Sequence, residues 1–183
     1  LTPKLIFSNE KYDIKDNLIY SQSNREVIGV RFSQKAGYHY FNKEYQSLQK
    51  SINKAMPKTN NRIISVSQDE NKYIVFANSD NDSGTYLLGT RKPSSLKSIA
   101  FSYEKLVPNL MSSVKDYNYT ARDGLEIEAY ITKPLMMQKG SKLPAIIFPH
   151  GGPMARDYSG FDYEKAATKQ ITLSDRVGGV NYK

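Results

Sequence analysis

The strongest constraint on how this chain can fold is an apolar run at residues 143–149 that leads into His150-Gly151-Gly152-Pro153. A continuous apolar run of this length is typical of a strand that is buried on both faces of a parallel sheet. The two glycines let the backbone turn sharply after that strand and leave peptide N–H groups uncovered. The sequence therefore predicts a strand that delivers a loop lined by N–H groups to one edge of a sheet.

Further motifs lie on both sides of this loop. Met154-Ala-Arg-Asp157 and then Gly160-Phe-Asp162 follow it, and Arg122-Asp-Gly124 precedes it between two strand-like runs. An Asp-Gly pair between such runs is a strong signal for a β-hairpin. The alternation in the second run places four apolar residues on its buried face: Leu125, Ile127, Ala129 and Ile131. Together these motifs resemble the prolyl oligopeptidase family of serine peptidases, in particular its acylaminoacyl-peptidase and dipeptidyl-peptidase-like branch.

This resemblance implies a catalytic role for the glycine loop. In α/β-hydrolases one donor of the oxyanion hole comes from an early loop of this type, and the other donor follows the nucleophile. On the resemblance, the backbone N–H of Gly152 is one of the two donors, and Gly151 and His150 belong to the same oxyanion loop. His150 is then a residue that orients the loop and not the catalytic base.

The residues that would complete a Ser-Asp-His triad are not found in the sequence. No Gly-x-Ser-x-Gly occurs, and the only histidines are His39 and His150. The catalytic histidine of the family lies near its C-terminus. We therefore expect an internal fragment of a peptidase that ends after the oxyanion loop. Such a chain is expected to be inactive alone, because losing triad members leaves only weak residual catalysis.

Up to about residue 113 the sequence predicts short strands joined by polar turns. Residues 42–56 form the exception, because Tyr45, Leu48, Ile52 and Ala55 recur there at helical spacing and predict an amphipathic helix. The candidate strands lie at residues 4–8, 17–21, 26–33, 62–67, 72–78, 85–90 and 96–101. His39 is expected to lie in a strand as well.

The expected fold class is β-rich plus α/β. The resemblance implies that residues 1–113 form the C-terminal blades of a β-propeller, since a four-stranded blade takes about 40–50 residues. It implies that residues 114–183 form the first strands of a truncated α/β-hydrolase domain. After Asp162 the resemblance weakens, and residues 171–180 contain no clean apolar strand.

Composition limits the chemistry and the partners. The chain has no cysteine, which excludes disulfides, thiolate metal sites and a cysteine nucleophile. No cofactor or metal is expected, because the polar stretch at residues 79–84 is out of register with a calcium loop and is predicted to be a hairpin turn. The net charge is +8, but the lysines are scattered, so neither a nucleic-acid partner nor a membrane span is predicted.

The expected partner is an oligopeptide substrate of the full-length parent, which would be hydrolysed through an acyl-enzyme. Self-association through an exposed strand at residues 145–148 is also expected. Two other functions stay open from the sequence: an esterase or acyl-hydrolase of the same fold, and a non-catalytic β-rich binding module. The cellular compartment, cytoplasmic or periplasmic, also stays open.

Overall fold

The structure is a computed structural model that describes residues 4–8, 10, 14–32, 37–138, 140, 142–149, 157, 159–161 and 172–175. The chain divides into two compact units. The first comprises Leu1–Ala77 and Thr85–Ala100, and the second comprises Asn78–Gly84 and Phe101–Lys183. Strands predominate in both, with one α-helix among the described residues, so the β-rich character expected from the sequence is confirmed.

The first unit opens with a three-stranded antiparallel sheet in the order β1-β2-β3. Its strands are β1 (Ile14–Tyr20), β2 (Val27–Phe32) and β3 (Tyr38–Tyr40). His39 lies in β3, as predicted. The strand predicted at residues 4–8 is wrong, because these residues pair with no strand in the described part of the chain. A short apolar run does not supply its own pairing partner, and Leu5 and Ile6 are left exposed.

Helix α1 (Lys43–Ala55) follows and confirms the predicted amphipathic helix. Asn42 caps its N-terminus, because the side-chain Oδ1 accepts hydrogen bonds from the backbone N–H groups of Glu44 and Tyr45 at 2.9 and 3.1 Å. Tyr45 and Ile52 are buried on the inner face of the helix, whereas Ala55, which the spacing also placed on that face, is exposed.

A second sheet contains four strands in the order β4-β5-β6-β7. These are β4 (Asn60–Val66), β5 (Lys72–Asn78), β6 (Thr85–Thr90) and β7 (Ser95–Phe101). The connections from β4 to β5 and from β6 to β7 are too short for a parallel crossover, so the sheet is an antiparallel meander. The helix and both sheets share one core, formed by Ile28, Tyr40, Tyr45, Ile52, Ile63, Tyr73 and Val75.

A carboxylate links the two sheets of this unit. Glu70, in the turn between β4 and β5, has the left-handed backbone angle φ of 54°. Its Oε1 accepts hydrogen bonds from the Ser21 hydroxyl at 2.5 Å and from the backbone N–H groups of Gln22 and Ser23 at 3.0 and 3.2 Å. The Ser23 hydroxyl donates a fourth hydrogen bond at 3.2 Å. The turn between β1 and β2 is therefore fastened to the second sheet by one charged group.

The second unit contains a sheet in the order β10-β11-β9-β8. Its strands are β8 (Val114–Thr120), β9 (Glu126–Thr132), β10 (Ile146–Pro149) and β11 (Thr172–Asp175). Loop residue Asp80 belongs to this unit, and its Oδ2 accepts a hydrogen bond of 2.7 Å from the backbone N–H of Val114 at the start of β8. Residues 79–84 connect β5 to β6, which confirms the predicted hairpin turn.

Strands β8 and β9 form the predicted antiparallel hairpin. The turn contains Asp123 and Gly124, and Gly124 has a φ of 87° that only glycine adopts readily. Ile127 and Ala129 are buried as predicted. The prediction for Leu125 is wrong: this side chain is 57% exposed, because β9 begins only at Glu126 and Leu125 belongs to the turn.

Candidate functional site

Strand β10 carries the chain toward the predicted oxyanion loop. It lies at one edge of the sheet of the second unit, where the strand order is β10-β11-β9-β8, and ends at Pro149 directly before the glycine motif. Proline cannot donate a hydrogen bond to a neighbouring strand, so it is tolerated at such an edge. The predicted strand at residues 143–148 therefore exists in shortened form, and its membership of the hairpin's sheet is confirmed.

The neighbour of β10 is β11, which runs parallel to it. Pro149 is level with Asp175, so the two strands end at the same edge of the sheet. In open α/β sheets, ligand-binding loops lie at the carboxyl ends of parallel strands. Residues 171–180 contain no clean apolar strand, yet Thr172–Asp175 forms a strand that lies between β10 and β9 and pairs with both.

The three predicted site residues, His150, Gly151 and Gly152, lie outside the described residues. The described chain fixes only the end of the strand before them. Phe161, in the predicted Gly-Phe-Asp motif, is described, and its ring contacts the ring of Tyr103 at a centroid distance of 6.2 Å. The assignment of an oxyanion loop therefore remains a prediction.

The apolar side chains of β10 are not buried by the described part of the chain. Ile147 is 71% exposed and Phe148 is 44% exposed. This agrees with the exposure that was expected from the sequence for the strand at residues 145–148. A strand's sequence shows only that its side chains are suited to burial, and covering them requires other elements.

A second cluster of functional groups lies in the first unit, beside α1. The guanidinium carbon of Arg91 lies 4.6 Å from the centre of the Tyr45 ring, in a cation–π contact. Its Nη1 is 3.6 Å from the carboxylate of Glu44. Burial raises the pKa of Tyr45 to about 12, and the negative charge of Glu70 adds to this rise.

Glu70 and Arg91, the charged residues of this cluster, were not identified from the sequence. Glu70 follows an Asp in a turn that reads only as a polar connection, and Glu is not a residue that indicates a left-handed backbone. Arg91 comes directly after β6 and gives no motif.

Burial and the hydrogen bonds of Glu70 act in opposite directions: burial raises the pKa of this carboxyl, but the hydrogen bonds from Ser21 and Ser23 outweigh it and hold the pKa below its usual value.

Two general findings concern the described residues alone. They contain no group of three or more His, Cys, Asp or Glu side chains that could hold a metal ion. Among them, no helix is both long and apolar enough to cross a membrane.

Comparisons with known proteins give a likeness of fold. No protein-family model matches the chain, and no curated protein matches its sequence. Prolyl oligopeptidase B from Galerina marginata is similar in structure with a TM-score of 0.59, at 12% identity over 95% of this chain and 25% of that one. Oligopeptidase B from Trypanosoma brucei, solved with covalently bound antipain, gives a TM-score of 0.55 at 9% identity, over 93% of this chain and 26% of that one.

These structural neighbours are members of the prolyl oligopeptidase family. The chain spans about a quarter of the length of each. At such low identity the likeness concerns the fold alone. It covers nearly the whole of this chain, and therefore both of its units.

Proposed function

We propose that this chain is part of a serine peptidase of the prolyl oligopeptidase family that cleaves short peptides through an acyl-enzyme. The observation that carries the proposal is a combination of fold and motif. A chain that resembles oligopeptidases over 95% of its length also has a His-Gly-Gly-Pro motif directly after an edge strand of a mixed sheet.

The architecture follows from this proposal. Residues 1–113 contribute blades of a β-propeller, and the four-stranded meander β4-β5-β6-β7 has the strand number and order of one blade. Residues 114–183 contribute the first strands of an α/β-hydrolase catalytic domain. The parallel pair β10 and β11 supports this second assignment, because parallel pairing is characteristic of α/β sheets.

The proposed chemistry begins at the end of β10. Attack on the carbonyl carbon of a peptide bond places negative charge on the carbonyl oxygen. The backbone N–H of Gly152 donates a hydrogen bond to that oxygen, and His150 and Gly151 shape the loop that holds it. A single preorganised donor of this kind is worth roughly 3–4 kcal/mol of transition-state stabilisation. Glycine serves here because a Cβ would crowd the approaching substrate.

The nucleophile and the general base are supplied by a longer chain, since this sequence contains no Gly-x-Ser-x-Gly. The 183-residue chain is therefore expected to hydrolyse no chromogenic peptide above background. A fluorophosphonate probe, which labels activated serines, is the measurement. Stoichiometric labelling would show that this chain carries an activated serine of its own, which would contradict the proposal.

The decisive experiment uses the product of the gene read on beyond residue 183. If the proposal is right, this product contains a Gly-x-Ser-x-Gly serine, reacts with the fluorophosphonate and cleaves a short peptide. Gly152→Pro removes the N–H donor and should lower kcat by about 10²–10³-fold. Gly160→Ala is a matched control in the same region, because a Cβ at Gly160 meets nothing within 4 Å.

The same experiment separates the alternatives. Cleavage of matched ester substrates without cleavage of the peptides would indicate an esterase of the same fold. The lack of a downstream nucleophile would indicate a β-rich binding module. Either result would overturn the proposed peptidase function.

A further inference from the structure

The first unit contains a cavity of about 1160 Å³ between α1 and the ends of the second sheet. Its lining includes the apolar side chains of Leu48, Ile52 and Leu96 and, near the start of the helix, Lys43, Arg91 and Lys92. All of these residues belong to the first unit. The cavity therefore combines an apolar side with a basic end.

Arg91 is the unusual member of this lining. Its side chain is 19% exposed, and its Nε and Nη2 are buried without a hydrogen-bond partner in the described part of the chain. Buried donors are normally paired, so an arginine with two unmet donors needs an explanation. Among the described residues, the carboxylate that pairs with it is that of Glu44, whose side chain is 82% exposed and whose oxygen lies 3.6 Å from Nη1. This partner is weakly held and is easily displaced.

The other two acidic groups of the lining are already engaged. Asp69 accepts hydrogen bonds from the Ser67 hydroxyl at 2.5 Å and from the backbone N–H of Asn71 at 3.1 Å. Glu70 accepts its hydrogen bonds from the turn between β1 and β2. They lower the positive potential of the cavity but do not compete for the unmet donors of Arg91. The N-terminus of α1 adds no free donor at Glu44 or Tyr45, because Asn42 caps both.

We propose that this cavity binds the C-terminal end of a short peptide, with the terminal carboxylate on Arg91 in place of Glu44. A planar guanidinium can accept a carboxylate in a two-pronged arrangement, and a carboxylate in the place of Glu44 meets it first at Nη1. Lys43 and Lys92 add positive charge at the same end. From Lys43 to Ile52 the helix advances about 14 Å, which an extended peptide covers in about four residues.

The apolar side of the cavity defines the rest of the ligand. Leu48 and Ile52 lie four residues apart on one face of the helix, opposite Leu96 of β7. The residues before the carboxylate are therefore apolar. This inference is independent of the proposed peptidase chemistry, because no residue of the cavity lies in residues 114–183.

The test is a binding measurement on the 183-residue chain. A fluorescein-labelled Ala-Leu-Ala-Leu peptide with a free carboxylate is compared with its C-terminal amide by fluorescence polarisation. The free acid is expected to bind at least about tenfold more tightly, because it can form a charge-assisted hydrogen bond that the amide cannot. Equal affinity for the acid and the amide, or no binding of either, would refute the proposal.

Variants locate the carboxylate. Arg91→Gln should abolish the preference for the acid, and Arg91→Lys should restore only part of it because a point charge cannot form the two-pronged contact. Because Arg91 also packs on the buried Tyr45, its replacement can disturb the core. Lys43→Gln and Lys92→Gln leave the core intact, and each is expected to weaken binding of the free acid about two- to threefold. Lys97→Gln on β7 removes an exposed charge outside the cavity and should change nothing. A loss in Lys97→Gln equal to that in the cavity variants would show that only the net charge attracts the peptide.

Discussion

Replacing Glu70 by Gln tests how the two sheets of the first unit are held together. The variant keeps the size of the side chain and an acceptor oxygen but removes the charge. Oε1 of Glu70 accepts four hydrogen bonds from residues 21–23, two of them from backbone N–H groups. Hydrogen bonds to an ionised acceptor are about twice as strong as neutral ones. A hydrogen bond to a charged group contributes about 1.5–3 kcal/mol, and the neutral amide of Gln keeps about half of that contribution. Losing the other half is expected to lower the free energy of unfolding by about 1 kcal/mol.

The effect should depend on pH in a defined direction. The pKa of Glu70 is held below its ordinary value of about 4.5, so the folded state favours the ionised carboxylate. A lowered carboxyl pKa adds stability above the unfolded-state pKa, and this stability is lost as the pH falls through the folded-state pKa. The difference between the wild type and Glu70→Gln should therefore be full at pH 7 and should shrink below about pH 4.5.

Urea unfolding followed by tyrosine fluorescence measures both the loss of unfolding free energy and its dependence on pH, because the chain has 14 tyrosines and no tryptophan. A loss of 1 kcal/mol corresponds to a fall of about 4–8 °C in Tm for a unit of this size. Glu10→Gln is the control, since it removes the same charge from an exposed residue. If Glu70→Gln unfolds like Glu10→Gln at pH 7, or if its deficit persists unchanged at pH 3, the carboxylate does not fasten the sheets.

Four further predictions concern single positions. Asn42→Ala should cost about 1 kcal/mol of unfolding free energy through loss of the helix cap, and Asn42→Ser should recover most of it in the same urea assay. Gly124→Ala should cost about 1–2 kcal/mol by backbone strain at φ 87°, with no steric part because its Cβ would meet nothing within 4 Å, and a neutral result would show that the turn relaxes. Since burial raises the pKa of Tyr45 to about 12, the stability that its neutral form contributes should persist below pH 10 and disappear as the pH rises toward 12. A Tyr45→Phe difference titration at 295 nm with a midpoint near 10 would contradict this. Ile147→Lys should reduce self-association of the chain in sedimentation velocity by charging an exposed edge strand, and unchanged association would place the contact elsewhere.

The local elements of this protein were determined largely by its sequence. Short runs rich in aromatic and β-branched or other apolar residues, bounded by polar turns, placed β5 and β6 at their observed bounds. The helix followed from the helical spacing of its apolar residues, and the hairpin followed from Asp123-Gly124 because few residues other than glycine adopt the required backbone angle. The glycine motif after β10 also came from the sequence, and its role remains a prediction.

The tertiary structure decided which elements meet. Strand β11 has a single apolar residue, Leu173, and was not recognisable alone, since its strand state follows from pairing with β10 on one side and β9 on the other. Residues 4–8 show the opposite case: they have strand-like residues but pair with no strand in the described part of the chain. The contact of Glu70 with Ser21 spans 49 positions, and local patterning carries no information about such a distance. The sequence thus determined the conformations that short segments prefer, whereas pairing, burial and the charged contacts depend on neighbours that only the folded chain brings together.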